Sequence, residues 1–231
     1  MTIAAVGLLA VVAGAAVIAA YVMFVRPWHM TLGCTADEAG ARLPGDELIA
    51  APRLQATHAI SIRARPFEVW PWLIQMGQGR GGFYSYDRLE QMFGCEIYNV
   101  REIVAHLQHL RVGDGISLHV KAPALNVFEI RPHQAIVLAG GPELQPDMPP
   151  DRSWYRFHTY QGYVWSFTLR EQADGSTRLI TRIRVAWNRD HLGHFVRSRI
   201  FLEPVHTFMQ RKMNRTIKEL VEERRARART A

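Results

Sequence analysis

The chain has 231 residues, 48% of them hydrophobic and 21% charged, with a formal net charge of +7. That mixture excludes a disordered chain or a low-complexity scaffold, and the length suits one domain with an appendage. The two cysteines, Cys34 and Cys95, have no CxxC spacing, which excludes a disulfide framework and a structural zinc site.

The apolar residues are unevenly placed. Positions 2–25 carry no charge, and 3–25 form one apolar run. As a helix rising ~1.5 Å per residue, this run covers the ~30 Å hydrocarbon core of a bilayer. A buried core helix usually stops nearer about 10 to 14 apolar residues, and a cleavable signal peptide opens on Lys or Arg. Residues 1–27 therefore read as a single transmembrane anchor. Arg26 and Arg42 follow the span and no basic side chain precedes it, which places the soluble part in the cytoplasm by the positive-inside rule. Tyr21 and Trp28 suit the interface, and Ala10 with Gly14 form a small-xxx-small pair through which two such helices can approach as a homodimer.

Residues 28–54 read as a polar linker. Beyond it His58, Ile60, Ile62 and Ala64 alternate with Thr57, Ala59, Ser61 and Arg63, the pattern of a half-buried strand that opens a domain over 55–222. Pro66 suits a helix start, and Phe67, Val69, Trp70, Leu73 and Ile74 recur at helical spacing until Gly77. Gly77, Gly79, Gly81 and Gly82 make a tight turn, and a second helix is expected over 85–93. Five strands follow, over 116–120, 124–131, 135–139, 162–170 and 176–187, and Asp174-Gly175 joins the last two as a hairpin. Val205, Phe208, Met209, Met213, Ile217, Leu220 and Val221 then mark a long amphipathic helix behind Glu203-Pro204. Strand, two helices, a strand meander and one long terminal helix is the order of an α+β helix-grip domain, in which an antiparallel sheet wraps the last helix.

Leu43-Pro44-Gly45-Asp46-Glu47-Leu48, Val69-Trp70-Pro71-Trp72-Leu73-Ile74-Gln75-Met76-Gly77, Gly81-Gly82-Phe83-Tyr84-Ser85-Tyr86-Asp87 and Val112-Gly113-Asp114 are more specific than any periodicity. They resemble signature segments of a membrane-anchored branch of the SRPBCC superfamily (START/polyketide cyclase-like, Bet v 1-type), over about residues 41–221. The resemblance implies the helix-grip fold and a cavity between sheet and terminal helix, used across the superfamily for lipids, sterols, polyketides and other apolar ligands. It brings no catalytic motif, and fold does not settle function.

The ten histidines form no metal-ligand spacing, and the glycine loop lacks the Lys-Ser/Thr of a phosphate loop, so no metal and no cofactor is expected. The candidate ligand-binding residues are Arg80, Tyr84, Ser85 and Asp87 at that loop, with Trp70, Trp72 and Gln75 on the preceding helix. In a pocket Arg80 would hold an anionic head group, Tyr84 would donate a hydrogen bond and the tryptophans would cover an apolar body. The alternative is structural: Asp87 pairs with Arg80 or caps the second helix, and the tryptophans fill core. Tyr163, Trp165 and Phe167 on one strand face, with Met209 and Met213 on the terminal helix, complete the set. Arg178, Arg182 and Arg184 share the other face of the last strand and are expected to be solvated, because a buried unpaired guanidinium is too costly. The basic end, with residues 223–231 as a tail, fits an anionic membrane surface, and no nucleic-acid recognition motif accompanies it.

The sequence thus points to a membrane-anchored, non-catalytic domain for an apolar or amphipathic small molecule, a lipid among the candidates. The alternatives are a cyclase, aromatase or hydratase using Arg80, Tyr84 or Asp87 in the same cavity, and an accessory interaction subunit of a membrane complex.

Overall fold

The computed structural model describes residues 3–92, 94–147, 161–187, 199 and 202–230. Helix α1 (Ile3–Ala20) passes through a π-helical turn (Tyr21–Val25) into α2 (Arg26–Met30). Pro27 has no amide hydrogen to give the ladder, and the wider turn before it absorbs the irregularity. The stretch Ala5–Met30 is long and apolar enough to cross a bilayer, and its most apolar window has none of its residues buried in the protein.

Six antiparallel strands form one sheet in the order β1-β6-β5-β4-β3-β2. They are β1 (Leu54–Ile62), β2 (Gly115–Ile116), β3 (Leu125–Arg131), β4 (Ala135–Gly140), β5 (Gly162–Glu171) and β6 (Thr177–Ala186). The β5–β6 turn has Gly175 at φ 76°, where L side chains are strained, and Asp174 Oδ1 accepts from Ser176 N at 2.9 Å. β2 is shorter than its sequence pattern, since Ser117 O leaves the ladder to accept from Gln78 N at the glycine loop.

The last helix, α6 (Glu203–Thr230), lies on the inner face of the sheet. Met213, Ile217, Leu220 and Val221 join Phe167, Leu179 and Trp72 in the main core. The arrangement is a helix grip. The helix runs on through the basic end to Thr230 instead of fraying into a separate tail. Helices α4 (Pro66–Ile74) and α5 (Asp87–Met92) complete the inner layer; the expected final residue of α5, Phe93, lies outside the described residues.

Residues expected as a linker are packed. His29 and Met30 are buried, and α2 meets the start of α6. Arg26 Nε and Nη2 donate to the Glu203 carboxylate at 2.7 and 3.0 Å. Helix α3 (Ala36–Gly40) is held by a capping box between Thr35 and Glu38, and a 3₁₀ turn (Asp46–Ile49) follows. Gly45, at φ 87°, sits so close to the sheet that a Cβ would lie 2.6 Å from Val137 Cγ1.

This segment corrects the reading of the arginine ladder. Arg178, Arg182 and Arg184 do point away from α6, but residues 33–50 cover them: Arg182 is only 2% exposed. Its guanidinium reaches Thr57 Oγ1 (2.9 Å), the carbonyls of Ala41 (2.8 Å), Ala39 (2.8 Å) and Glu38 (3.2 Å), and Asp46 Oδ2 (2.6 Å). Five acceptors meet the five N–H donors an arginine carries. Arg184 Nη1 lies 3.2 Å from Asp46 Oδ1, and Arg178 Nε donates to Glu38 Oε1 at 2.7 Å. Burial is tolerated because each guanidinium meets a carboxylate, Asp46 serving two of them, and backbone carbonyls take further donors.

Candidate ligand cavity

A cavity of about 190 Å³ lies between the inner sheet face and the first half of α6. Tyr163, Trp165, Ile183 and Val185 supply the sheet wall, since alternate residues of β5 and β6 face inward. Val205, His206, Met209 and Met213 supply the helix wall at i, i+1, i+4 and i+8. Phe83, Cys95 and Ile97 close the third side, with Phe83 and Trp165 ring centroids 5.7 Å apart.

A buried polar ladder fixes α6 above this space. Trp165 Nε1 donates to Gln210 Oε1 at 3.1 Å, Gln210 Nε2 to Asn214 Oδ1 at 2.8 Å, and Asn214 Nδ2 reaches Thr181 Oγ1 at 3.4 Å. Ser85 Oγ donates to Met209 O at 3.3 Å. The helix is therefore seated by specific bonds, and packing alone does not set the cavity's height.

The carboxyl and imidazole groups that line the cavity are Glu203, Glu90 and His206. Glu203 is held by Arg26; burial pushes its carboxyl up and the guanidinium pulls it back in part. Burial, aided by the Asp87 charge, raises Glu90 to about 7, and its Oε2 has no hydrogen-bond partner among the described residues. Burial lowers His206 to about 3, with the neighbouring His58 adding to the shift, so its imidazole is neutral. The His58 and His206 ring centroids are 5.9 Å apart.

No protein-family model matches the sequence, and no curated protein sequence matches it. In three dimensions the chain is similar to the Zhui aromatase/cyclase from Streptomyces sp. R1128, with TM-score 0.43 and 11% identity over 74% of this chain and 94% of that one. A protein from Arthrobacter aurescens gives TM-score 0.41 and 12% identity over 74% and 87% of the two chains. Protein MLL2253 from Mesorhizobium loti gives 0.39 and 11% over 74% and 98%.

The sequence-derived candidates separate into two groups. Tyr163, Trp165, Met209 and Met213 line the cavity, as does Ser85, while Phe167 lies behind Trp165 in the core. The other members of the glycine-loop group, Arg80, Tyr84 and Asp87, do not line it. Arg80 donates to the carbonyls of Met76 (3.1 Å), Ile74 (3.0 Å) and Leu107 (3.0 Å), capping the end of α4 with no anion involved. Gln75 Nε2 donates to Tyr84 Oη at 2.9 Å, Gln75 Oε1 accepts from Val104 N at 3.1 Å, and Tyr84 Oη donates to Trp72 O at 3.1 Å. Burial pushes the Tyr84 hydroxyl far up. Asp87 is bonded to the side chain and backbone amide of Asn99, and neither the expected Arg80 pair nor a helix cap forms. Trp72 is core, and Trp70 packs edge-on against His133 at 5.8 Å. Among the cavity residues that sequence reasoning missed are Glu90, Glu203, His206 and Gln210; Glu90 and Gln210 look like solvated polar positions in the one-dimensional pattern.

Proposed function

We propose that this chain is a membrane-anchored, SRPBCC-type helix-grip protein that binds an apolar or amphipathic small molecule and does not transform it. The observation that carries the reading is the cavity under α6, walled by aromatic, aliphatic and methionine side chains with few polar groups. Its position supports a ligand drawn from the bilayer. The first turns of α6, which supply Glu203, Val205, His206 and Met209 to the cavity, are the same turns that Arg26 and His29 grip from the foot of the apolar helix. The enzymatic alternative built on Arg80, Tyr84 and Asp87 lacks the convergence it needs, because all three are engaged by the surrounding chain.

Native mass spectrometry of the full chain released gently from lipid nanodiscs tests the reading. The expected result is a co-purifying species of a few hundred daltons that is lost when Met213→Trp fills the cavity. A protein empty under the same conditions, with a stoichiometric protein partner in its place, would select the interaction-subunit reading instead.

A further inference from the structure

Glu90 is the odd group in this chamber. It sits on α5, its residue is 3% exposed, and it lines the cavity. Every other polar side chain of the wall except His206 is engaged: Ser85 with Met209 O, Gln210 with Trp165 and Asn214, and Glu203 with Arg26. Tyr163 likewise has an interaction of its own. Glu90 Oε2 is enclosed and has no hydrogen-bond partner among the described residues. A buried carboxyl left in that state destabilises the fold, and the cavity is the side from which a partner for it can enter.

We infer that Glu90 is the polar anchor of the cavity, and that the ligand it selects is a neutral amphiphile ending in a hydroxyl group and not a fatty acid or a phospholipid phosphate. This rests on the binding role proposed above. A hydroxyl both donates and accepts, so it pairs with Glu90 whether the carboxyl is ionised or protonated. An anionic head would meet two carboxyl groups, Glu90 and Glu203, in a wall that has no lysine or arginine among the described residues. The two cations that meet the Glu203 carboxylate, Arg26 and Arg199, are engaged there. His206 offers a neutral ring and no compensating charge. An ammonium head would make a buried ion pair with Glu90, and the apolar wall gives no further bonds to repay its lost hydration. The rest of the molecule is then an apolar body lying along Trp165, Met209 and Met213.

The test uses the full chain in phosphatidylcholine nanodiscs and three alkyl diazirine probes of equal length that end in a hydroxyl, a carboxylate or a methyl group. Photolabelling of residues 205–213 is normalised to labelling of α1, which reports each probe's concentration in the bilayer. The wild type is expected to label the cavity roughly tenfold more with the hydroxyl probe than with either other probe. Glu90→Leu is expected to abolish that preference while keeping methyl-probe labelling, which shows the cavity intact, and Glu90→Gln, which retains a donor and an acceptor, to preserve most of it. Equal hydroxyl preference in wild type and Glu90→Leu, or a preference for the carboxylate, would overturn the assignment of Glu90 while leaving the cavity as a binding site. Absence of cavity labelling by all three probes would overturn the binding role itself.

Discussion

The two faces of the sheet handle buried charge in opposite ways. On the outer face three arginines of β6 lie under a cover of residues 33–50, and Arg182 finds an acceptor for each of its donors. On the inner face Glu90 stands in an apolar chamber without a partner for Oε2. The matched face is closed by its own chain. The unmatched face is where the molecule has a cavity, and the contrast marks that cavity better than any motif does.

Breaking the matched face carries the largest expected effect. Arg182→Ala removes the shorter of the two ion pairs of Asp46 and leaves four other acceptors without their donor, and is expected to cost about 3–5 kcal/mol, read as a fall in denaturation midpoint of the full chain in detergent. Arg182→Lys should recover little, because an ammonium cannot span five divergent acceptors.

The unmatched face should show in pH dependence. Glu90 rises from its ordinary value of 4.5 to about 7 on folding, so between those values the native state holds more protons than the unfolded chain and stability falls as pH rises. The change is about 3 kcal/mol at ~1.4 kcal/mol per unit, complete above pH ~7. His58 and His206, lowered to about 4 and about 3 by burial, act in the opposite sense and lose stability as pH falls below ~6.5. Asp87, Cys95 and Glu203 also face or neighbour this site. The quantity to measure is therefore the stability of the wild type minus that of Glu90→Gln. That difference should decline from pH ~4.5 to ~7, and a flat difference would remove Glu90 from the list of unmatched groups.

Smaller effects sharpen the comparison. Gln210→Leu leaves the Trp165 indole N–H and the Asn214 side chain short of partners beneath α6, at an expected cost of about 1–3 kcal/mol in chemical denaturation. Lys218→Ala removes a half-buried pair with Glu222, whose N and O atoms are 2.8 Å apart, while Glu222 keeps its bonds to Arg63, and should change stability by about 1 kcal/mol or less.

Much of the frame is legible along the chain. Alternation marked β1 and β5, Asp174-Gly175 marked their neighbour's hairpin, Glu203-Pro204 marked the start of α6, and the uncharged run marked the apolar helix. The site was half legible: Tyr163, Trp165, Met209 and Met213 are large apolar residues at regular spacing, and regular spacing predicts a shared face. Arg80, Tyr84 and Asp87 misled because a cluster of polar side chains in a glycine loop looks the same whether it awaits a ligand or satisfies backbone carbonyls. Residues 28–50 misled in the other direction, since a five-residue helix and a 3₁₀ turn carry no period to detect.

The sequence by itself determined the element order, the apolar helix and which residues of each strand share a face, because these follow from local propensity and from periods of two and 3.6 residues. Only the tertiary structure decided which charges are answered. Arg182 is satisfied by Asp46 and Glu90 Oε2 is left without a partner because chain segments far apart in sequence arrive at one place and not at the other. The value of a buried charge depends on that arrival.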